Sequence, residues 1–117
     1  MATANAQQSY LIDWGEAGEE AVQHLVELVQ INTTNPPGNE TLVVDYLQAE
    51  LAAEGIQSEV FALEESRGNL VARISGNGSK RPLLIMGHTD VVGVQPEKWY
   101  ADPFSGNREG GFIYGRG

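Results

Sequence analysis

His88 and Asp90 stand two positions apart in Gly87-His88-Thr89-Asp90, directly after the apolar run Leu83–Met86. A neutral imidazole nitrogen is a good ligand for Zn2+, and a metal-bound histidine usually gives its other ring N–H to a carboxylate or carbonyl. If the chain stays extended through Thr89, residues 88 and 90 point to the same side. Asp90 is then placed to receive that N–H. The same pair also serves as an ordinary His–Asp hydrogen bond at a strand terminus. One histidine and one carboxylate do not close a tetrahedral site, and neither an H-E-x-x-H motif nor a nearby second histidine completes one. Gly87 allows a close backbone approach or an unusual torsion just before the pair.

Other chemistries find less support. There is no cysteine, which excludes thiolate ligands, thiol nucleophiles and disulfides within the chain. A Ser–His–Asp site lacks its G-x-S-x-G elbow, and Thr89 faces away from His88 on an extended backbone. Gly76, Gly78 and Ser79 do not form the G-x-x-x-x-G-K-[ST] phosphate loop; Ser75–Gly78 reads as a hairpin turn. His24 falls within a helical pattern and is expected to pack at a surface or edge. Arg116, between two glycines, reads as a loop brace, Asp102 before Pro103 as a turn former. Trp99 and Phe104 are expected to fasten that loop to the body.

These residues need elements to hold them. Asp13 and Glu16 have capping-box spacing, and Val22, Leu25, Val26, Leu28 and Val29 form an apolar stripe, so a helix is expected over 14–30. Asn32–Asn39, with Pro36 and Pro37, breaks it. A second helix is expected over 40–54, stopped by Gly55. Residues 57–63 and 69–74 alternate as strands, and 83–86 is continuously apolar, as in a strand covered on both faces. The connections between them are too short for a helical crossover, so antiparallel neighbours follow. A further short strand is expected around 111–114. Two helices on such strands give an α/β fold with helices packed on a mixed β-sheet. Residues 1–12 are expected to form a flexible N-terminal lead.

Charge is divided along the chain. Residues 1–66 hold 12 acidic and no basic residues, and residues 67–117 hold 4 acidic and 7 basic ones, for a net charge of −9. That balance argues against nucleic acid as a partner, which needs a basic footprint. No apolar run approaches bilayer length, and the first residues lack a signal-peptide pattern, so no membrane partner is expected and the cytoplasm is the default location.

The order of Asn35-Pro-Pro-Gly-Asn-Glu40, Pro82-Leu-Leu-Ile-Met-Gly-His-Thr-Asp-Val-Val92, Trp99-Tyr-Ala-Asp-Pro-Phe104 and Gly115-Arg-Gly117 is more specific than any one element. Across nearly all of residues 15–117 the chain resembles the N-terminal part of the catalytic domain of the M20 family of metallopeptidases and amidohydrolases. The resemblance implies a partial zinc-peptidase-like catalytic domain over 13–117, truncated before a segment bearing a metal-bridging aspartate. It implies two Zn2+ in the full-length enzyme, with Co2+ or Mn2+ as substitutes, and hydrolysis of an amide bond in a small peptide or N-acyl amino acid. His88 matches a zinc ligand of the family and Asp90 the aspartate that orients it. The general base and the other ligands belong to positions outside this sequence, so the piece alone is expected to be inactive. A homodimer formed through a further domain is also implied. Gly93 departs from the proline often found there, which should loosen the loop without removing a ligand. Two other readings stay open: a non-catalytic interaction module derived from a hydrolase, and a different co-catalytic zinc aminopeptidase.

Overall fold

A computed structural model describes residues 11–117. The expected N-terminal lead lies outside the described residues except for Leu11 and Ile12, which are exposed. Helix α1 spans Trp14–Gln30. The Asp13 carboxylate accepts from the backbone N–H groups of Gly15 and Glu16, at 2.9 and 3.1 Å, satisfying two donors that the first turn cannot pair internally. Helix α2 spans Glu40–Ala53. Its end is closed by Gly55, at φ 71°, where side chains are strained. Gly55 N–H donates to the Ala52 carbonyl at 3.0 Å, and Ile56 N–H to that of Leu51 at 2.8 Å. This pair of bonds is a Schellman closure. His24 Nδ1 and the Tyr46 hydroxyl, 2.6 Å apart, link the two helices. Partial burial, with Glu27 alongside, pushes the Tyr46 phenol up to about 12.

Strands β1 (Ser58–Ala62) and β2 (Gly68–Ala72) form an antiparallel ribbon with Val60 opposite Leu70. Helix α2 packs on this ribbon, and Val43 and Val44 are each only 3% exposed there. Gly68 favours the close contact: a Cβ on it would lie 3.0 Å from Thr41 Oγ1 and 3.2 Å from Val44 Cγ2, so those side chains would have to shift. Thr41 ties helix to ribbon by donating its hydroxyl to the Glu65 carbonyl at 2.7 Å and accepting from Gly68 N–H at 3.0 Å. Beside it, Arg67 Nη2 donates to Glu40 Oε1 at 2.7 Å, and the Glu40 side chain is only 9% exposed.

The second half of the chain departs from expectation in three places. Leu83–Met86 does not join a sheet. It is irregular and its side chains are 79–85% exposed, because no strand among the described residues lies alongside to complete a ladder. Ser75–Gly78 is accordingly exposed irregular chain leading into a bend at 78–80 rather than a hairpin turn, as it has no second strand to return. Finally, Phe112–Tyr114 (β4) pairs antiparallel with Asn107–Glu109 (β3), a segment expected from the sequence to be a loop. Gly110 and Gly111, at φ 59° and 83°, make the tight turn between them. The sheets are thus two antiparallel ribbons, and the parallel component is an isolated bridge between Thr34 and Val91.

The aromatic tail is held on α1. Gly106 and Gly115 sit so close to Val26 and Val29 that side chains there would collide with them. Gln30 Nε2 donates to the Ser105 carbonyl at 3.0 Å, and Arg108 pairs with Glu19 at 3.1 Å. Asp102 forms the expected turn, its Oδ1 accepting from Phe104 N–H at 2.9 Å. No helix among the described residues is long and apolar enough to cross a membrane.

The Arg67–Glu40 pair gives a stability test. Arg67→Ala should leave a nearly buried carboxylate without its cation and lower the unfolding free energy by about 2 kcal/mol, less than for a fully buried pair because Arg67 is 38% exposed. Urea unfolding of the protein measures this, and Arg67→Ala combined with Glu40→Met should recover part of the loss.

Candidate functional site

The turn after α1 is built to grip a distant segment. Ile31, in extended geometry, ends the helix. Asn32 Oδ1 then accepts from Thr34 N–H at 3.0 Å, curling the chain as asparagine does in such turns. This presents three consecutive residues to Thr89–Val91. Asn35 N–H donates to the Val91 carbonyl at 2.8 Å, and Val91 N–H donates to that of Thr33 at 3.2 Å. Thr33, 2% exposed, donates its hydroxyl to the Thr89 carbonyl at 2.5 Å. The chain around the site is therefore fixed by main-chain pairing at one edge.

His88 projects from this anchored segment with its side chain 85% exposed. Its Nδ1 lies 2.9 Å from the Asp90 backbone carbonyl and 3.0 Å from Asp90 Oδ1. A carbonyl oxygen only accepts, so Nδ1 carries the proton and donates to both. In the neutral ring, Nε2 is then bare, with its lone pair directed away from Asp90. The i, i+2 spacing does bring the pair together as expected. Gly87 takes neither of the roles foreseen for it: its φ is not positive and no atom crowds the place of a Cβ.

Asp90 is held from its other side as well. Asn35 Nδ2 donates to Asp90 Oδ2 at 3.0 Å. The hydrogen bond from Asn35, then that from His88, keeps the Asp90 carboxyl below the usual carboxylate range, against a smaller opposing effect of burial. Asp90 is therefore anionic and acceptor-only at neutral pH. From the sequence, Asn35 counts only as the start of the Asn35–Glu40 motif and Thr33 as part of a helix-breaking turn, and neither is expected at the site. The available signal was a run of Asn and Thr, residues whose short side chains bond to nearby backbone.

A cleft of about 340 Å3 opens beside the pair, lined among others by Glu40, Arg67, Leu70, His88 and Asp90. Glu40 Oε2 is buried at its edge without a hydrogen-bond partner. A larger recess lies elsewhere, against Gln48, Ser58 and Arg73, and holds neither His88 nor Asp90. Arg116 acts as the expected brace, its Nε donating to the Val92 carbonyl at 3.0 Å. The donor chemistry fits a metal to a limited extent. His88 Nε2 supplies one nitrogen ligand with its orienting carboxylate behind it, whereas no group of three or more His, Cys, Asp or Glu that could hold an ion occurs among the described residues.

No family model matches the chain. Individual relatives do. A probable succinyl-diaminopimelate desuccinylase of Staphylococcus aureus strain Mu50 is 39% identical over 101 residues, covering 85% of this chain and 24% of the relative. The Staphylococcus epidermidis strain RP62A protein of the same description is 36% identical over 101 residues, with the same coverage of 85% and 24%. The succinyl-diaminopimelate desuccinylase of Ehrlichia canis strain Jake is 38% identical over 95 residues, 78% of this chain and 24% of the relative. The chain thus spans about a quarter of the length of the curated relatives it matches.

The hydrogen bonding around His88 sets a spectroscopic expectation. In the metal-free protein, neutral His88 should be protonated on Nδ1 and bare on Nε2. Long-range 1H–15N correlation of the imidazole distinguishes the tautomers, and a predominant Nε2–H form would contradict the geometry.

Proposed function

We infer, for a chain homologous over 85% of its length to M20-family succinyl-diaminopimelate desuccinylases, the N-terminal share of the catalytic domain of a metal-dependent amidohydrolase. The observation that carries this reading is the state of His88: Nδ1 held by two acceptors at 2.9 and 3.0 Å, and Nε2 bare and accessible. An imidazole so arranged is prepared to give a lone pair to a zinc ion. In the whole protein His88 is one ligand of a zinc pair, and Asp90 keeps the ring in the ligating tautomer and raises its donor strength.

The bound metals would lower the pKa of water and polarise the scissile carbonyl. The chain's own residues have a narrower task. Asp90, anionic and held by Asn35, restrains rotation of the His88 imidazole about its Cβ–Cγ bond. The Thr33–Thr89 and Asn35–Val91 hydrogen bonds limit drift of the backbone beneath it. Position matters at this scale because small displacements of a catalytic ligand cost orders of magnitude in rate.

The substrate we propose is an N-acyl amino acid, with an N-succinyl amide as the leading candidate because the relatives are described as desuccinylases. Small peptides are the other amide class to compare. For the full-length protein, the experiment is metal analysis together with hydrolysis of N-succinyl, N-acetyl and dipeptide substrates. His88→Ala should lose about one equivalent of zinc and at least about a hundredfold in kcat/KM, since a polarising metal supplies several kcal/mol. Asp90→Asn should weaken metal binding by about 10- to 100-fold. Full zinc content and activity in His88→Ala would refute the ligand assignment. A wild-type protein that binds zinc but cleaves no amide would favour an interaction module.

A further inference from the structure

We propose that Asn35 is a positioning residue for the metal site, acting through Asp90 to hold His88 in its ligating tautomer and orientation. The proposal rests on the reading of His88 as a zinc ligand and extends it to Asn35, 55 positions from Asp90 in sequence. Two contacts in series define it. Asn35 Nδ2 reaches Asp90 Oδ2 at 3.0 Å, and His88 Nδ1 reaches Asp90 Oδ1 at 3.0 Å. Each carboxylate oxygen thus has its own donor, so the plane of the carboxylate is fixed from both ends. Without Asn35, Asp90 would keep one side-chain partner and could rotate about its Cβ–Cγ bond.

Asn35 is itself well placed to resist that rotation. Its backbone N–H is bonded to the Val91 carbonyl at 2.8 Å, next to Asp90 in sequence. Its side chain and main chain therefore grip adjacent residues of the same segment. The Gly38 N–H donates to the Thr34 carbonyl at 2.9 Å, closing the turn in which Asn35 sits. The amide nitrogen is essential to this role. An acceptor at the same place would face an anionic carboxylate and push it away from the imidazole.

The test uses the full-length protein, Asn35→Asp as the nearly isosteric variant that exchanges donor for acceptor, and Asn35→Ala as the variant that only deletes the donor. Circular dichroism establishes that each variant is folded. Two readouts follow: the tautomer of His88 in the metal-free protein by imidazole 1H–15N correlation, assigned with His88→Gln, and zinc affinity by chelator competition. Both Asn35 variants should raise the share of the Nε2–H tautomer of His88, short of abolishing the Nδ1–H form because the Asp90 backbone carbonyl still accepts from Nδ1 at 2.9 Å, and should lower zinc affinity by about tenfold, with Asn35→Asp the more affected. In an Asp90→Ala background, Asn35→Ala should have no further effect on either readout. Wild-type tautomer and affinity in both folded Asn35 variants would overturn the proposal while leaving His88 as a ligand. Undiminished zinc binding in His88→Gln would instead overturn the ligand reading, and the proposal with it.

Discussion

The two backbone hydrogen bonds that join Val91 to Thr33 and Asn35, at 3.2 and 2.8 Å, fix the His88 segment to the body of the fold. The residues before that segment do not share in the task. Leu83–Met86 has no ladder among the described residues, so His88 is positioned from its C-terminal side alone. The short parallel bridge makes up for this by concentrating contacts. Thr33 and Asn35 each add a side-chain bond to the backbone bonds beside them, one to the Thr89 carbonyl and one to the Asp90 carboxylate. Main-chain pairing sets where the segment lies, and the side chains set how its functional groups face.

The uneven charge along the chain takes on a spatial meaning in the fold. The first 66 residues hold no basic residue, and the later part supplies the cations that meet them. Arg67 closes on Glu40, and Arg108 on Glu19. The second pair is exposed and contributes little to stability. The first is different, because Glu40 is nearly buried and a carboxylate in that position requires compensation. It also lies at the edge of the His88 cleft, so the pair that docks the β1–β2 ribbon onto α2 shapes one wall of the candidate site.

Legibility in the sequence follows the range of the forces involved. Both helices could be read because their signals are local: the Asp13 cap, the apolar stripes, and Gly55 at the end. The β1–β2 ribbon followed from alternation and a connection too short for a crossover. The His88–Asp90 pair was readable for the same reason, since two residues on one extended backbone determine each other's direction. Leu83–Met86 misled because an apolar run states a preference for burial without supplying the neighbour that would cover it. The β3 strand was missed because Asn107-Arg108-Glu109 has no β pattern of its own; the Gly110-Gly111 turn and its partner strand define it. Asn35 and Thr33 could not be paired with Asp90 and Thr89, more than fifty residues away, by any rule of local spacing.

The apolar run at Leu83–Met86 has a consequence for the residues that flank it. Four consecutive large apolar side chains beside free main-chain donors and acceptors form a template for cross-β association. Immediately before them stand Lys80, Arg81 and Pro82. Two like charges repel a second copy aligned in register, and proline removes a donor from any ladder that would extend through it. Residues of these types, placed beside an apolar run, oppose its pairing with a second copy. The segment whose end delivers the imidazole is thus entered through two charges and a proline, a composition that disfavours extension of a ladder along it.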